Sequence, residues 1–264
     1  MHANMIRRPS FGEPSLPGPA DLRSIALLLD VDGTILDTAI TPNGVVVSGA
    51  LRSSLEELHA KCGGALALVS GRLIKDLDDL FAPLRLPAVG GHGAEMRLEG
   101  PLNTRARHAD KIGEAFRNLI AAAAAIDPRV ILEDKGTSLA LHYRLAPEIE
   151  EPLKTKIDAI VSRVCLEDLE VMHGKAVIEI KSRHFSKGMA VRELMKSPPF
   201  LHRKPVFIGD DTTDLSVFKI LPMLGGLGYS VERFMPGVNG TFVSPREVRS
   251  WLASLCGREG NGRE

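Results

Sequence analysis

The chain lacks the features that mark several specialised classes of protein. Its 33 lysines and arginines balance 33 aspartates and glutamates, so the formal net charge is zero. This balance argues against a nucleic-acid partner and against an acidic membrane surface. No apolar run is long enough to span a bilayer. The first residues are rich in proline and contain no continuous apolar stretch like that of a signal peptide, which predicts a flexible N-terminal tail over residues 1–22.

Cysteine is also scarce. The three cysteines, Cys62, Cys165 and Cys256, lie far apart and form no CxxC pair. They therefore predict neither a disulfide framework nor a zinc site, and we expect reduced thiols in a cytoplasmic protein. The 264 residues are enough for one large domain or two modest domains, each with its own core.

Four short apolar runs, each leading to a polar or glycine-rich segment, predict the strands of a buried parallel sheet. They are IALLLD, ending at Asp30, ALALVS, ending at Ser70, PAVGGHGAE, which begins at Pro87, and PVFIGDD, ending at Asp211. Strands that are apolar on both faces are typical of a sheet covered on both sides. Leucines at helical spacing lie between these runs, which predicts a doubly wound α/β domain. In such a sheet the ligand lies at the carboxyl ends of the strands.

The middle of the chain, residues 106–183, has a different pattern. Two helical stretches alternate with two pairs of strand-like segments, which turn at Lys135–Gly136 and at His173–Gly174. This order predicts an α+β unit inserted into the α/β domain, which then comprises residues 23–105 and 184–264.

Side chains alternate along the inserted strands, so that one face of their sheet is apolar and the other is charged. A charged face on an antiparallel sheet is usually solvated. The alternative is that this face closes over the carboxyl end of the main sheet and binds a polar ligand.

Asp30 and Asp32 end the first strand, immediately before Gly33. Two carboxylates one residue apart repel each other unless a cation lies between them. Asp30 can attack phosphorus as a nucleophile, and Asp32 can exchange a proton with the leaving group. An Asp–Gly turn would explain Asp32 alone.

The segment GDDTTD places further carboxylates at the end of another predicted strand, at Asp210, Asp211 and Asp214. Mg²⁺ prefers oxygen ligands and is commonly held by one or two carboxylates together with phosphate. The sequence therefore predicts a Mg²⁺ site between the two aspartate clusters.

Two more residues are candidates for binding a phosphoryl group. The Ser70 hydroxyl and the backbone N–H groups that follow it can bind phosphate oxygens, although a serine before a helix is more often an N-cap. Lys187 opens a helix before the GDD strand, where it can neutralise phosphate and nucleophile, although an isolated lysine is usually a surface charge.

The segments DVDGT, LVS, SKG and GDDTTD, in this order, resemble the motifs of the haloacid dehalogenase superfamily of phosphatases. Longer strings, among them GHGAE, LEDKGTSLALHYR, GKAVIEIK and VRSWL, resemble the trehalose-6-phosphate phosphatase family, from about Ile25 to Leu252. The resemblance implies a Rossmann-like doubly wound core with an inserted, mobile α+β cap. It also implies Mg²⁺-dependent hydrolysis of trehalose 6-phosphate through an aspartyl-phosphate, in trehalose biosynthesis, and a functional link to trehalose-6-phosphate synthase.

The resemblance further implies roles for single residues. Asp30 would be the nucleophile and Asp32 the general acid and base, while Ser70 and Lys187 would hold the phosphoryl oxygens. The metal would be held by Asp30, by the backbone carbonyl of Asp32 and by Asp210, with Asp211 and Asp214 in contact with it or close behind. The expected substrate-binding residues are Gly71, Arg72, His92, Glu133, Lys135, Arg144, Lys175 and Glu179.

Leu215 departs from the family, which usually has glutamate at this position, and we expect it to weaken Mg²⁺ binding. Three alternatives remain: a phosphatase acting on sucrose phosphate or glucosylglycerol phosphate, a non-catalytic sugar-phosphate-binding subunit, and a phosphomutase. The presence of Asp30, Asp32, Lys187 and Asp210 favours an enzyme. Hinges for the cap are expected near Thr104–Ala109 and Lys181–Ser186.

Overall fold

The structure is a computed structural model, and it describes part of the chain. Side chains are described for residues 16–38, 45–98, 111–164, 168–174 and 176–258, and the backbone alone for residues 104–106. Three parts of the expectations above lie outside these ranges: most of the predicted tail, the hinge residues 107–109, and the individual residues Cys165 and Lys175. Within the described ranges, no helix combines the length and the apolar character that crossing a membrane requires.

The larger domain is built on an eight-stranded sheet. Numbered along the whole chain, its strands are β1 (Ile25–Leu29), β2 (Leu66–Val69), β3 (Ala88–Gly90), β4 (Glu95–Arg97), β5 (Thr104–Ala106), β10 (Lys204–Gly209), β11 (Leu227–Val231) and β12 (Gly240–Phe242). Their order across the sheet is β12-β11-β10-β1-β2-β3-β4-β5. Neighbouring strands from β12 to β3 are parallel. The strand β4 is antiparallel to both of its neighbours, β3 and β5.

Helices pack against this sheet. They are α1 (Gly49–Lys61), α2 (Ile74–Phe81), α5 (Lys187–Leu194), α6 (Leu215–Phe218) and α7 (Pro245–Leu255). Every residue of β1 and β2 is buried, as expected of central parallel strands. The four predicted apolar runs correspond to β1, β2, β3 and β10, so the prediction of a doubly wound α/β domain is confirmed.

The inserted unit has its own four-stranded sheet. Its elements are α3 (Glu114–Ala124), β6 (Ile131–Asp134), β7 (Ser138–His142), α4 (Glu150–Val164), β8 (Leu169–Gly174) and β9 (Val177–Ser182). All pairs in the order β6-β7-β9-β8 are antiparallel. One detail of the prediction was wrong: His173 and Gly174 belong to β8 and pair with Ile178 and Val177 of β9, so they do not form the turn.

Two separate hydrophobic cores hold the two sheets. In the cap, Phe116 of α3 and Ile157 of α4 pack on Leu141 and Ile178, which belong to the predicted apolar face. Leu22, the last residue assigned to the tail, is buried in the core of the larger domain. The domain limits at residues 105–106 and 183–184 stay a prediction.

Candidate active site

The carboxyl ends of β1, β2 and β10 meet at one edge of the main sheet, and Asp30 lies there almost completely buried. Asp30 Oδ1 accepts a hydrogen bond from Lys187 Nζ at 2.7 Å. Asp30 Oδ2 lies 3.1 Å from the Thr34 hydroxyl, which is also 3.2 Å from Asp210 Oδ1. Lys187 Nζ donates a second hydrogen bond, of 2.7 Å, to Asp214 Oδ1. Residues from three distant parts of the sequence therefore surround one carboxylate.

Asp30, Asp210 and Asp214 each offer an oxygen within 4.8 Å of the others. Gly33 makes the approach of Asp210 feasible. Its φ is +78°, and a Cβ at this position would lie 2.1 Å from Asp210 Oδ2. Any larger residue would collide with the carboxylate and would also strain the backbone.

Among the residues that the structure describes, the negative charge of this cluster is not balanced. Burial raises the pKa of Asp30 well above its ordinary value, the ammonium of Lys187 opposes this, and the charge of Asp214 adds to it. Burial and the charge of Asp214 raise the pKa of Asp210 to about 7. Burial acts to lower the pKa of Lys187, but the charges of Asp214 and Asp30 outweigh it and the pKa is raised. Three carboxylates around one ammonium therefore fit a further, divalent cation with oxygen ligands.

Asp214 also shapes the loop after β10. It is completely buried, and its Oδ2 accepts hydrogen bonds from the backbone N–H groups of Asp210, at 2.9 Å, and Asp211, at 3.0 Å. The carboxylate of Asp211 lies outside the cluster, 3.7 Å from the guanidinium of Arg233. Leu215, the departure from the family motif, packs against the core of the larger domain.

Asp32 lies beside the cluster in a two-pronged ion pair with Arg72. Arg72 Nε donates to Asp32 Oδ2 at 2.6 Å, and Arg72 Nη2 donates to Asp32 Oδ1 at 2.7 Å. The backbone N–H of Arg72 donates to the buried hydroxyl of Ser70 at 3.1 Å. The loops after β1 and β2 are thereby tied together, and the Asp32 carboxylate is held in one orientation.

The polar face of the cap sheet lines the same cavity as these core residues. The cap residues that contribute charged or polar side chains to it are Glu133, Lys135, His142, Arg144 and Glu179. The interpretation of this face as solvated is therefore wrong, because the face closes over the main sheet. That it binds a polar ligand stays a prediction.

Two direct contacts join cap and core above the cavity. Lys135 Nζ donates to the Gly71 carbonyl at 3.2 Å, and His92 Nε2 lies 2.7 Å from Glu179 Oε2. A Cβ on Gly71 would lie 2.2 Å from His92 Nε2, so glycine provides the space for this ring. Burial acts to raise the pKa of Glu179, but His92 and Lys135 outweigh it and the pKa is lowered. The carboxylate of Glu179 is therefore an ionised hydrogen-bond acceptor.

Thr34 and His142 line or support the site, but sequence reasoning did not select them as site residues. Thr34 belongs to the DGT segment, and the sequence does not show that its hydroxyl lies beside Asp210. The alternation of side chains along β7 places His142 on the polar face, and this pattern could have identified it as a site residue. Of the predicted residues, the structure brings all but Lys175, which it does not describe, to the edge of one cavity or into the cluster beneath it.

Comparisons with known proteins agree with this geometry. A sequence model of the family described as Trehalose-phosphatase matches residues 28–250. The chain is 40% identical over 239 residues to a probable trehalose-phosphate phosphatase of Sinorhizobium fredii, covering 89% of each protein. It is 35% identical over 243 residues to the trehalose-6-phosphate phosphatase of Escherichia coli, covering 92% of this chain and 91% of that protein.

Solved structures share the fold. The C-terminal domain of the C. albicans trehalose-6-phosphate phosphatase superposes with a TM-score of 0.80 at 21% identity, covering 91% of this chain and 95% of that one. The C-terminal domain of the Candida albicans trehalose synthase regulatory protein has a TM-score of 0.67 at 14% identity, covering 88% and 96%. An enzyme and a regulatory protein thus have this fold, so the side chains must distinguish them.

Proposed function

The chain belongs to the trehalose-phosphatase family, and we propose that it converts trehalose 6-phosphate and water to trehalose and inorganic phosphate. The observation that carries this proposal is a single cavity with two chemically different walls. One wall holds the buried pair of Asp30 and Lys187, which suits a phosphoryl group. The other is the polar face of the cap, which suits a ligand rich in hydroxyl groups.

We propose that Asp30 is the nucleophile. An oxygen of its carboxylate forms a bond to phosphorus while the bond from phosphorus to the sugar oxygen breaks. The departing sugar oxygen takes a proton from Asp32. Water then attacks phosphorus, Asp32 accepts the proton from this water, and the phosphate leaves Asp30. Ser70 and Lys187 hold the phosphoryl oxygens, and the buried ammonium of Lys187 is kept in place by its ion pairs with Asp30 and Asp214.

We propose that the cation is Mg²⁺ and that Asp30, Asp210 and the backbone carbonyl of Asp32 hold it. Bound there, it would neutralise negative charge on the phosphoryl oxygens and on the nucleophile. Asp214 supports this site from behind, because its two oxygens already accept hydrogen bonds from Lys187 and from two backbone amides.

Stabilisation by Mg²⁺ should depend on pH. Without the cation the pKa of Asp210 is about 7, so the folded chain holds a proton that the unfolded chain releases near its ordinary value of about 3.9. This contribution to stability is complete below about pH 4 and is lost as the pH rises through about 7. Because Mg²⁺ replaces the proton, we expect it to raise the melting temperature more at pH 8 than at pH 5.5. At 100 times its Kd the gain is about 2.7 kcal/mol.

Thermal unfolding with Mg²⁺ and with a chelator at both pH values measures this effect. Asp210→Asn should remove it. Asp37→Asn, which changes an exposed carboxylate of the same charge that contacts Arg249, should leave it intact. Equal shifts at the two pH values would contradict the assignment of the buried aspartates as the cation site.

We propose that the cap residues recognise the disaccharide. Glu133, Lys135, Arg144 and Glu179 offer charged donors and acceptors in the cavity, and sugar hydroxyl groups can satisfy both kinds. His92, which belongs to the core, lines the same cavity and contacts Glu179. The cap would open and close about the two expected hinges. In the second of them, Lys181–Ser186, Lys181 Nζ donates to the Phe185 carbonyl at 2.8 Å.

A panel of sugar phosphates tests the substrate. We expect phosphate release from trehalose 6-phosphate to exceed that from sucrose phosphate, glucosylglycerol phosphate and a small aryl phosphate, and to require Mg²⁺. Equal rates across the panel would argue against disaccharide recognition. No phosphate release from any compound would support a binding or regulatory role, and transfer of the phosphoryl group back to sugar would indicate a mutase.

The same panel tests the cap. Glu179→Gln should lower kcat/KM for trehalose 6-phosphate by about 10- to 100-fold, because it removes a charged acceptor, and should affect the aryl phosphate much less. Glu148→Gln is a matched control, since Glu148 is exposed on the cap and contacts Arg129 instead of the cavity. Equal losses on both substrates would show that this face does not bind the sugar.

A further inference from the structure

The polar face of the cap presents two carboxylates in one row across three strands. Ala140 of β7 pairs with Glu133 of β6 on one side and with Glu179 of β9 on the other. Because neighbouring strands are about 4.8 Å apart, the backbones that carry the two carboxylates are about 10 Å apart. His142 lies two residues beyond Ala140 on the same face of β7, diagonally across from Glu133.

A histidine contacts each of these carboxylates, but the two histidines come from different domains. Glu179 lies 2.7 Å from His92, which belongs to the core, so this pair forms only when the cap rests on the core. Glu133 lies 2.9 Å from Nε2 of His142, within the cap itself. The pair of Glu133 and His142 can therefore persist in any position of the cap.

Lys135 is a weaker constraint on Glu133 than His142 is. Its Nζ lies 3.9 Å from Glu133 Oε2, beyond hydrogen-bond distance, and it already donates to the carbonyl of Gly71. The carboxylate of Glu133 can only accept, so Nε2 of His142 must carry the proton that it donates. This hydrogen bond is the main reason why the pKa of Glu133 is lowered, and it keeps the group ionised.

We propose that His142 is a positioning residue, whose imidazole fixes Glu133 in the orientation in which it accepts a hydrogen bond from a hydroxyl group of the sugar. The proposal rests on the function proposed above and deepens it. Glu133 is partly exposed, with 31% of its side chain accessible, so without His142 its carboxylate is free to rotate into solvent. Binding would then have to order it, which weakens affinity for the sugar and leaves the phosphoryl site unaffected.

A pair of amide variants tests this inference. The Nε2 of glutamine can reach the position of the imidazole Nε2, whereas the shorter asparagine cannot reach Glu133. We expect His142→Asn to raise the KM for trehalose 6-phosphate about 10-fold, as for the loss of a charged hydrogen bond, with a much smaller change in kcat. We expect His142→Gln to recover most of that loss. A KM that is equally poor in both variants, or unchanged in both, would overturn the proposal.

A neighbouring residue provides the matched control. Tyr143 immediately follows the end of β7 at His142, is buried in the hydrophobic core of the cap, and also donates to a glutamate, Glu150, at 3.1 Å. Tyr143→Phe removes one hydrogen bond to a carboxylate from the residue next to His142, away from the cavity, and should leave the KM within about 2-fold. If it raises the KM as much as His142→Asn does, the effect is a general loss of cap stability and the proposal fails.

A double-mutant cycle separates positioning from direct contact with the substrate. If His142 acts through Glu133, then His142→Asn should raise the KM little further in a Glu133→Gln background. Full additivity would show that His142 contacts the sugar independently, which overturns the positioning role. If Glu133→Gln alone leaves the KM for trehalose 6-phosphate unchanged, the proposed sugar site itself is wrong. If it raises the KM and His142→Asn does not, only the role of His142 is wrong.

Discussion

Asp30→Asn should reduce phosphate release from trehalose 6-phosphate by at least about 10⁴-fold, since the neutral amide cannot form the bond to phosphorus. The fold should remain intact. Burial raises the pKa of Asp30, which means that its charged form is held in the folded state at a cost in free energy. Removing this charge next to Asp210 and Asp214 should therefore leave the melting temperature unchanged or raise it.

Phosphate release and thermal unfolding, measured on the same preparations, decide this point. Asp37→Asn makes the same chemical change seven residues later, at an exposed carboxylate that pairs with Arg249. It should leave both quantities close to those of the unmodified chain. A near-normal rate in Asp30→Asn would disprove the nucleophile assignment, and a rate lost together with the fold would leave Asp30 a structural residue.

Lys187→Met should cause the largest loss of stability among these variants. The side chain keeps a similar length, but Asp30 and Asp214 lose the ammonium that lies 2.7 Å from each of them. Removing one partner of a buried ion pair leaves uncompensated charge and costs about 3–5 kcal/mol. Turnover should also fall, on the order of 10²- to 10³-fold or more, because a donor to the phosphoryl oxygens is gone.

The pH dependence of this stability loss has a definite sign. The charge of Lys187 acts to lower the pKa of Asp30 and of Asp210, so removing it raises both further. The folded variant then holds more protons than its unfolded chain, and its stability falls as the pH rises from about 4 through and beyond 7. We therefore expect a larger stability deficit at pH 8 than at pH 5.5, and partial recovery on adding Mg²⁺.

Chemical unfolding at the two pH values measures the deficit. Lys196→Met is the control, because Lys196 is exposed and forms an ion pair with Glu193 one helical turn away. It should change stability little, as is usual for surface pairs. A deficit in Lys187→Met that is small, or that shrinks as the pH rises, would contradict the charge arrangement described for the cluster.

Much of the main domain could be predicted because its strands are continuous apolar runs. Five consecutive buried residues in β1 and four in β2 make a signal that requires no partner to interpret. By contrast, β4, β5 and β12 were missed, since each has only three residues and, unlike the equally short β3, lies outside a continuous apolar run. β11 was missed because Gly228 and Ser230 interrupt its apolar residues.

The candidate active site could be predicted only in part. Asp30 and Asp210 were expected to meet because parallel strands end at one edge of a sheet. Their carboxylate oxygens lie within 4.8 Å of each other, which confirms this expectation. The bond of Asp214 to Lys187, the pairing of Asp32 with Arg72 and the closeness of Thr34 to Asp210 carry no pattern in the chain. They depend on rotamers and on loops that come from separate parts of the sequence.

The sequence by itself determined the two-domain α/β and α+β plan, the family, and the carboxylates that gather at the edge of the main sheet, because periodicity and short motifs are local properties. Only the tertiary structure decided that the charged face of the cap turns toward Asp30 and away from solvent, and that His142 and His92 each hold one of its carboxylates. The physical reason is that strand alternation fixes which side chains share a face, whereas the packing of one domain on another fixes what that face meets.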